Sequence, residues 1–180
     1  MSLLKKVVGT LIGLVVLVVT AGFLLPSNVH VERDLLMNAE PSEVFAWVRD
    51  FHAWDAWSPW AQMDPDAALQ ITGTGLGQTM TWSSENPQVG QGSQTIVNLD
   101  APNLLKTHLD FGNQGVADAT FRLVPEDGKT RVVWSLDTDS REGMPLWQQP
   151  VSTYFGFAMD AMIGKDYEAG LQNLKALAES

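Results

Sequence analysis

The amino-acid sequence predicts an α+β fold. One curved antiparallel sheet of about seven strands closes around a single long C-terminal helix, and one apolar helix precedes it. Three observations carry this. Between residues 151 and 178, apolar side chains recur at Phe155, Ala158, Met159, Met162, Ile163, Tyr167, Leu171, Leu174 and Leu177, the three-and-four spacing of a helix with one buried face. From residue 29 to 138 the pattern switches to short alternating runs bounded by turn residues, the signature of half-buried strands. Ahead of both, residues 7–25 contain no charge.

Taken in order, residues 1–6 form a short tail and residues 7–25 a run that spans about 28 Å as a helix, the thickness of a bilayer core. That run exceeds the roughly 7 to 15 apolar residues of a cleaved signal peptide, so it reads as an uncleaved anchor. Lys5 and Lys6 ahead of it predict a single-pass protein of the cytoplasmic (inner) membrane, with its N-terminus inside and its domain on the extracytoplasmic side. Gly9 and Gly13 make a small-xxx-small pair through which two anchors could form a weak dimer.

Residues 26–28 are a linker, and 29–180 the domain. Val29, Val31, Leu35 and Met37 alternate with polar residues in a first strand, where Arg33 shares the inward parity as a candidate polar anchor. Glu40-Pro41 starts a helix that buries Val44, Phe45 and Val48. Trp54, Trp57 and Trp60 follow at three-residue steps, interrupted by prolines, and predict a short helical turn whose rings cover a core edge or line a pocket lip. Six strands then fall at about 69–72, 78–84, 92–99, 104–111, 116–124 and 130–138, the last two joined by a turn at 126–129. Their inward parity collects Met80, Trp82, Leu105, Leu109, Phe111, Ala119, Phe121, Leu123, Val132, Trp134 and Leu136.

Composition narrows the function. From residue 27 onward the chain carries 21 acidic residues against nine basic ones, a formal charge of −12, which argues against nucleic acid and against an electrostatic grip on anionic lipid. The absence of cysteine excludes disulfides, thiol nucleophiles and thiolate metal sites. His108 and Asp110 share a strand face, but the other parity is the more apolar one, so they are expected to face solvent. His52 beside Asp55 has no neighbouring nucleophile, and the spacing of His30, His52 and His108 favours no metal. Neither a catalytic constellation nor a cofactor site is therefore expected.

The order of strand, helical pair, six strands and long terminal helix resembles the SRPBCC superfamily, the START and pollen-allergen-like helix-grip proteins, and within it the polyketide cyclase/dehydrase and lipid-transport family. The run Met37-Asn38-Ala39-Glu40-Pro41-Ser42-Glu43-Val44-Phe45 carries this resemblance. So do Asp50-Phe51 with Trp54, Trp57 and Pro59, and the terminal stretch from Met162 to Lys175. The resemblance implies an apolar cavity between sheet and helix and a lipid or other apolar small molecule as ligand. The expected lining is Trp57, Met80, Trp82, Phe111, Phe121, Trp134, Phe155, Met159 and Met162, with Arg33 as the polar member. A cyclase- or hydrolase-like enzyme using Arg33, Asn98 or Tyr154 is the alternative, and an assembly factor with a filled cavity is a third.

Overall fold

The computed structural model describes residues 3–180, so Met1 and Ser2 of the expected tail lie outside the described residues. Helix α1, Leu3–Leu24, begins within that tail and is long and apolar enough to cross a bilayer by length and composition. Strand β1 is Asn28–Met37 and helix α2 is Pro41–Val48, where the Glu43 carboxylate accepts from the Glu40 amide and closes the first turn. A 3-10 turn at Phe51–Ala56 and the short helix α3, Pro59–Met63, hold the tryptophans.

Six further strands follow: β2 Ala68–Thr72, β3 Thr79–Ser83, β4 Gln91–Asp100, β5 Leu104–Asp110, β6 Val116–Glu126 and β7 Lys129–Asp139. Helix α4, Gln149–Ala178, ends the chain. The seven strands form one antiparallel sheet in the order β1-β7-β6-β5-β4-β3-β2, so the first strand returns to pair with the last. Asp127 and Gly128, both at positive φ, make the two-residue β6–β7 turn, a conformation that suits the strands' right-handed twist. The expected α+β architecture is the observed one.

Helix α4 lies chiefly along β1, with α1, α2 and α3 as its other neighbours. Its buried positions are Pro150, Thr153, Gly156, Gly164, Tyr167, Gly170, Leu171 and Leu174. This corrects the expected stripe in the first half of the helix. Phe155 and Met162 are 66% and 62% exposed, and Ala158 is exposed beside them. The glycines explain the rotation, because a Cβ at Gly156 would sit 2.9 Å from Val29 Cγ2 and one at Gly164 would collide with the Arg33 guanidinium. Bare backbone is what lets the helix approach β1 so closely, so the glycine face turns inward and the apolar face turns out.

Candidate functional site

The inner face of the sheet is divided into a packed part and an open part. In the packed part, Trp134 on β7 stacks on Tyr167 of α4, with ring centroids 3.7 Å apart, and on Phe121 of β6 at 4.6 Å. Trp57 meets the Trp134 ring edge-on at 5.5 Å and lies tilted at 52° to the Trp54 ring, 4.8 Å away. The indole N–H groups of Trp54 and Trp57 donate to the Val48 and Trp47 carbonyls, which ties the aromatic turn to α2. Trp57, Phe121 and Trp134 are therefore core. They fill the space where a cavity lining was expected, because three-residue spacing in a 3-10 turn stacks large rings on one side. The Trp134 indole N–H is buried with no acceptor among the described residues, and burial holds the Tyr167 phenol protonated by pushing its pKa well up.

The open part lies on β2 to β5. Register aligns Ile71, Met80, Gln94, Leu109 and Ala117 as one cross-strand row on the inner face. Ile71, Met80 and Leu109 are only half buried. Trp82 lies beside this row with its ring against Gly92, where a Cβ would come within 2.6 Å. Its N–H donates to the Val89 carbonyl and Phe111 meets its edge at 5.9 Å. Gln94 is buried within the row and donates through Nε2 to Thr107 Oγ1 at 2.8 Å. On the helix side, Met159 and Ile163 are half buried against the core. Sequence reading placed Met80, Trp82, Phe111 and Met159 in the site but passed over Gln94 and Thr107, whose parity with Ile96 and Leu105 marked them as inward.

Arg33 is not free to meet a ligand. Its guanidinium donates to Asp160 Oδ1 at 2.9 Å and to Glu168 Oε1 at 2.8 Å, both on α4, so it clamps helix to strand. The Asp160 hydrogen bond, then that of Glu168, raises the Arg33 pKa further, and the same contact lowers that of Asp160. Asn98 is exposed beside a β-bulge, and the Tyr154 hydroxyl donates to the Val18 carbonyl of α1. Arg33 and Tyr154 are thus engaged in two different contacts, and Asn98 lies apart from both on an exposed part of β4.

On the outer face, His108 Nδ1 lies 2.9 Å from Asp118 and His30 Nδ1 lies 2.6 Å from Asp137, both pairs well exposed. Asp110, the expected companion of His108, instead accepts from the Gly112 amide. His52 pairs with Asp50 rather than Asp55. Among the described residues no group of three or more histidine and carboxylate side chains could hold a metal.

Comparison with known proteins agrees with this architecture. A search among curated proteins finds no match. The Aha1 dimer from Colwellia psychrerythraea is similar in structure at 15% identity, covering 84% of this chain and 96% of that one with a TM-score of 0.57. Truncated norcoclaurine synthase from Thalictrum flavum is similar at 12% identity, covering 83% and 92% with a TM-score of 0.59. The di-domain aromatase/cyclase StfQ of the steffimycin biosynthetic pathway matches at 13% identity over 84% of this chain and 51% of that one, with a TM-score of 0.59. At these identities the likeness shows the fold. The model of the polyketide cyclase/dehydrase and lipid transport family matches residues 28–179, and the chain belongs to that family.

Proposed function

We propose that this chain is a membrane-tethered binding module for a lipid or another apolar small molecule, held on the open inner face between β2–β5 and the Met159–Ile163 part of α4. The observation that carries this reading is that α4 packs chiefly along β1, with Ile71, Met80, Trp82, Leu109 and Phe111 left half buried on the inner face of the sheet. Such a surface is apolar with one polar spot, Gln94, the composition of a small-molecule site. The family's own description includes lipid transport, which supports the same reading. In this proposal residues 7–25 are the tether, Lys5 and Lys6 hold the N-terminus on the cytoplasmic side, and residues 29–180 form the ligand-binding domain beyond it. The space around Gly9 and Gly13, where an added Cβ would meet nothing within 4 Å, is open to a second anchor.

Micromolar affinity needs about 8 kcal/mol net, and association costs at least about 4, so burial must supply roughly 12. At about 0.8 kcal/mol per methylene this is some 15 carbons, the size of an acyl chain or a polycyclic skeleton. The test uses the full chain in detergent, purified from its own cells and released in a native mass spectrometer. The expected result is a co-purifying apolar molecule, together with fluorescent fatty-acid binding that is lost in Met80→Trp and Met159→Trp while the melting temperature is kept. The aromatic packing of Trp54, Trp57, Phe121 and Trp134 favours a second reading, an assembly factor with a filled grip. A chain that carries nothing and binds no fatty acid, and whose tryptophan variants melt far lower, would establish that second reading instead.

A further inference from the structure

We infer that the first half of α4, with Leu146 and Trp147 ahead of it, is itself immersed in the outer part of the bilayer beside α1, so that the domain meets lipid through a second, non-spanning helix face. The inference rests on the tethering reading and extends it to a different segment.

The stretch 144–159 contains no charged residue, bounded by Glu142 before it and Asp160 after it. At 100° per residue, Val151, Phe155, Ala158 and Met162 lie within an arc of about 60° on α4. Val151, Phe155 and Met162 are 61–66% exposed, and Leu146 and Trp147 are 73% and 76% exposed. A contiguous apolar surface of this kind is abnormal for a face that meets water.

Two sides of the helix are already taken. Gly156 and Gly164 sit against β1, and on the adjoining side Pro150 meets Gly22 while Tyr154 donates to the Val18 carbonyl at 2.8 Å. The open stripe is therefore continuous with α1, whose own apolar side chains are 42–81% exposed.

Depth decides the occupant. Val18 lies six residues inside the end of α1 at Leu24, about 9 Å along the axis, whereas one leaflet's hydrocarbon is about 15 Å thick. If α1 spans the bilayer, a side chain bonded to Val18 lies among lipid rather than above it. Beyond its first turn the segment can enter because its backbone hydrogen bonds are internal to the helix, while the first turn stays at the boundary. Trp147 supplies an amphipathic ring that favours the headgroup boundary, and the deeper Tyr154 hydroxyl has the Val18 carbonyl as its partner. With a domain charge of −12, this contact depends on apolar burial and not on attraction to anionic headgroups.

The natural absence of cysteine permits a direct test. Single variants Leu14→Cys, Phe155→Cys, Met162→Cys and Gln172→Cys of the full chain are spin-labelled in phosphatidylcholine vesicles and relaxed with oxygen or a water-soluble nickel chelate. The labels at 14, 155 and 162 are expected to respond to oxygen and lose the nickel effect, while the label at 172, on the wet face of α4, does the reverse. A lipid-exposed label at 14 with water-exposed labels at 155 and 162 would overturn this inference and leave the tether standing. A water-exposed label at 14 would overturn both. Labels at 155 and 162 shielded from both reagents would mean that protein, a second copy included, covers the stripe, and would also overturn it.

Discussion

Asp50 shows how one carboxylate secures the aromatic turn. It accepts from Gln78 Nε2 at 2.7 Å and from the amide and ring of His52, while Gln78, fully buried, accepts from the Phe51 amide at 2.9 Å. The Gln78 hydrogen bond above all pulls the Asp50 pKa from its ordinary 3.8 to about 2. A folded-state pKa below the unfolded one means that the charged form stabilises the fold. That contribution is complete above about pH 4 and is lost as pH falls through about 2. The carboxylate is 48% exposed, so solvent screens much of the effect. Urea unfolding at pH 4.5, 3 and 2 should show a fall in midpoint for the natural protein that is flatter in Asp50→Asn, and equal slopes would remove Asp50 from this role.

Gly164 makes the second residue-scale prediction. Alanine normally gains about 1 kcal/mol over glycine inside a helix. Here the added methyl would collide with the Arg33 guanidinium and drive it away from Asp160 and Glu168. The loss should win. Gly164→Ala is expected to destabilise the natural protein, and the same change in an Arg33→Ala background to stabilise by up to about 1 kcal/mol. Chemical denaturation of the four proteins closes the cycle, and a stabilising Gly164→Ala in the natural background would refute the clamp.

At the scale of the element, α4 separates what the sequence showed from what it hid. Alternation with period two was enough to find the strands and the inward set from Val132 to Leu136, because each strand has one buried face and its register follows from it. The second half of α4 was legible for the same reason, since Tyr167, Leu171 and Leu174 are apolar and buried. The first half misled because it has two candidate faces. Its apolar stripe at Phe155 and Met162 is stronger by composition, yet the face of Thr153, Gly156 and Gly164 is the one that packs. Hydrophobic periodicity identifies a face that avoids water, and a protein core is only one way to avoid it. The tryptophan turn was legible as a cluster but not as core or lining. That choice depends on how closely α4 approaches β1, for which Gly156 and Gly164 on one helix face are the local signal that hydrophobic periodicity does not count.

For the whole molecule, one residue ties α1, β7 and α4 together at the joint between α1 and the domain. Arg141 follows the end of β7, where its amide donates to Asp139 Oδ1 at 2.9 Å. Its Nε donates to Thr153 on α4 at 2.8 Å, and its Nη2 donates to the carbonyls of Gly22 and Leu25 at 2.8 and 2.6 Å. The last carbonyls of a helix have no partner within it and carry the negative end of its dipole, so a guanidinium there both satisfies and neutralises them. Pro26 and the two residues after it are too few to fix a direction by themselves, so Arg141, the Gly22–Pro150 contact and the Tyr154–Val18 hydrogen bond set how α1 leaves the domain. Removing the side chain should therefore free the joint without unfolding the domain. The cysteine-free background again supplies the measurement. An ideal Cβ at position 22 would lie 2.7 Å from Pro150 Cβ, and a disulfide needs about 3.5–4.5 Å, so Gly22→Cys with Pro150→Cys should cross-link after a shift of roughly 1 Å. Oxidation of that pair in membranes is expected to be fast and complete in the Arg141 protein and severalfold slower in Arg141→Ala, with the domain's near-ultraviolet tryptophan signal unchanged. Equal cross-linking rates in the two backgrounds would show that the helix contact alone holds the joint.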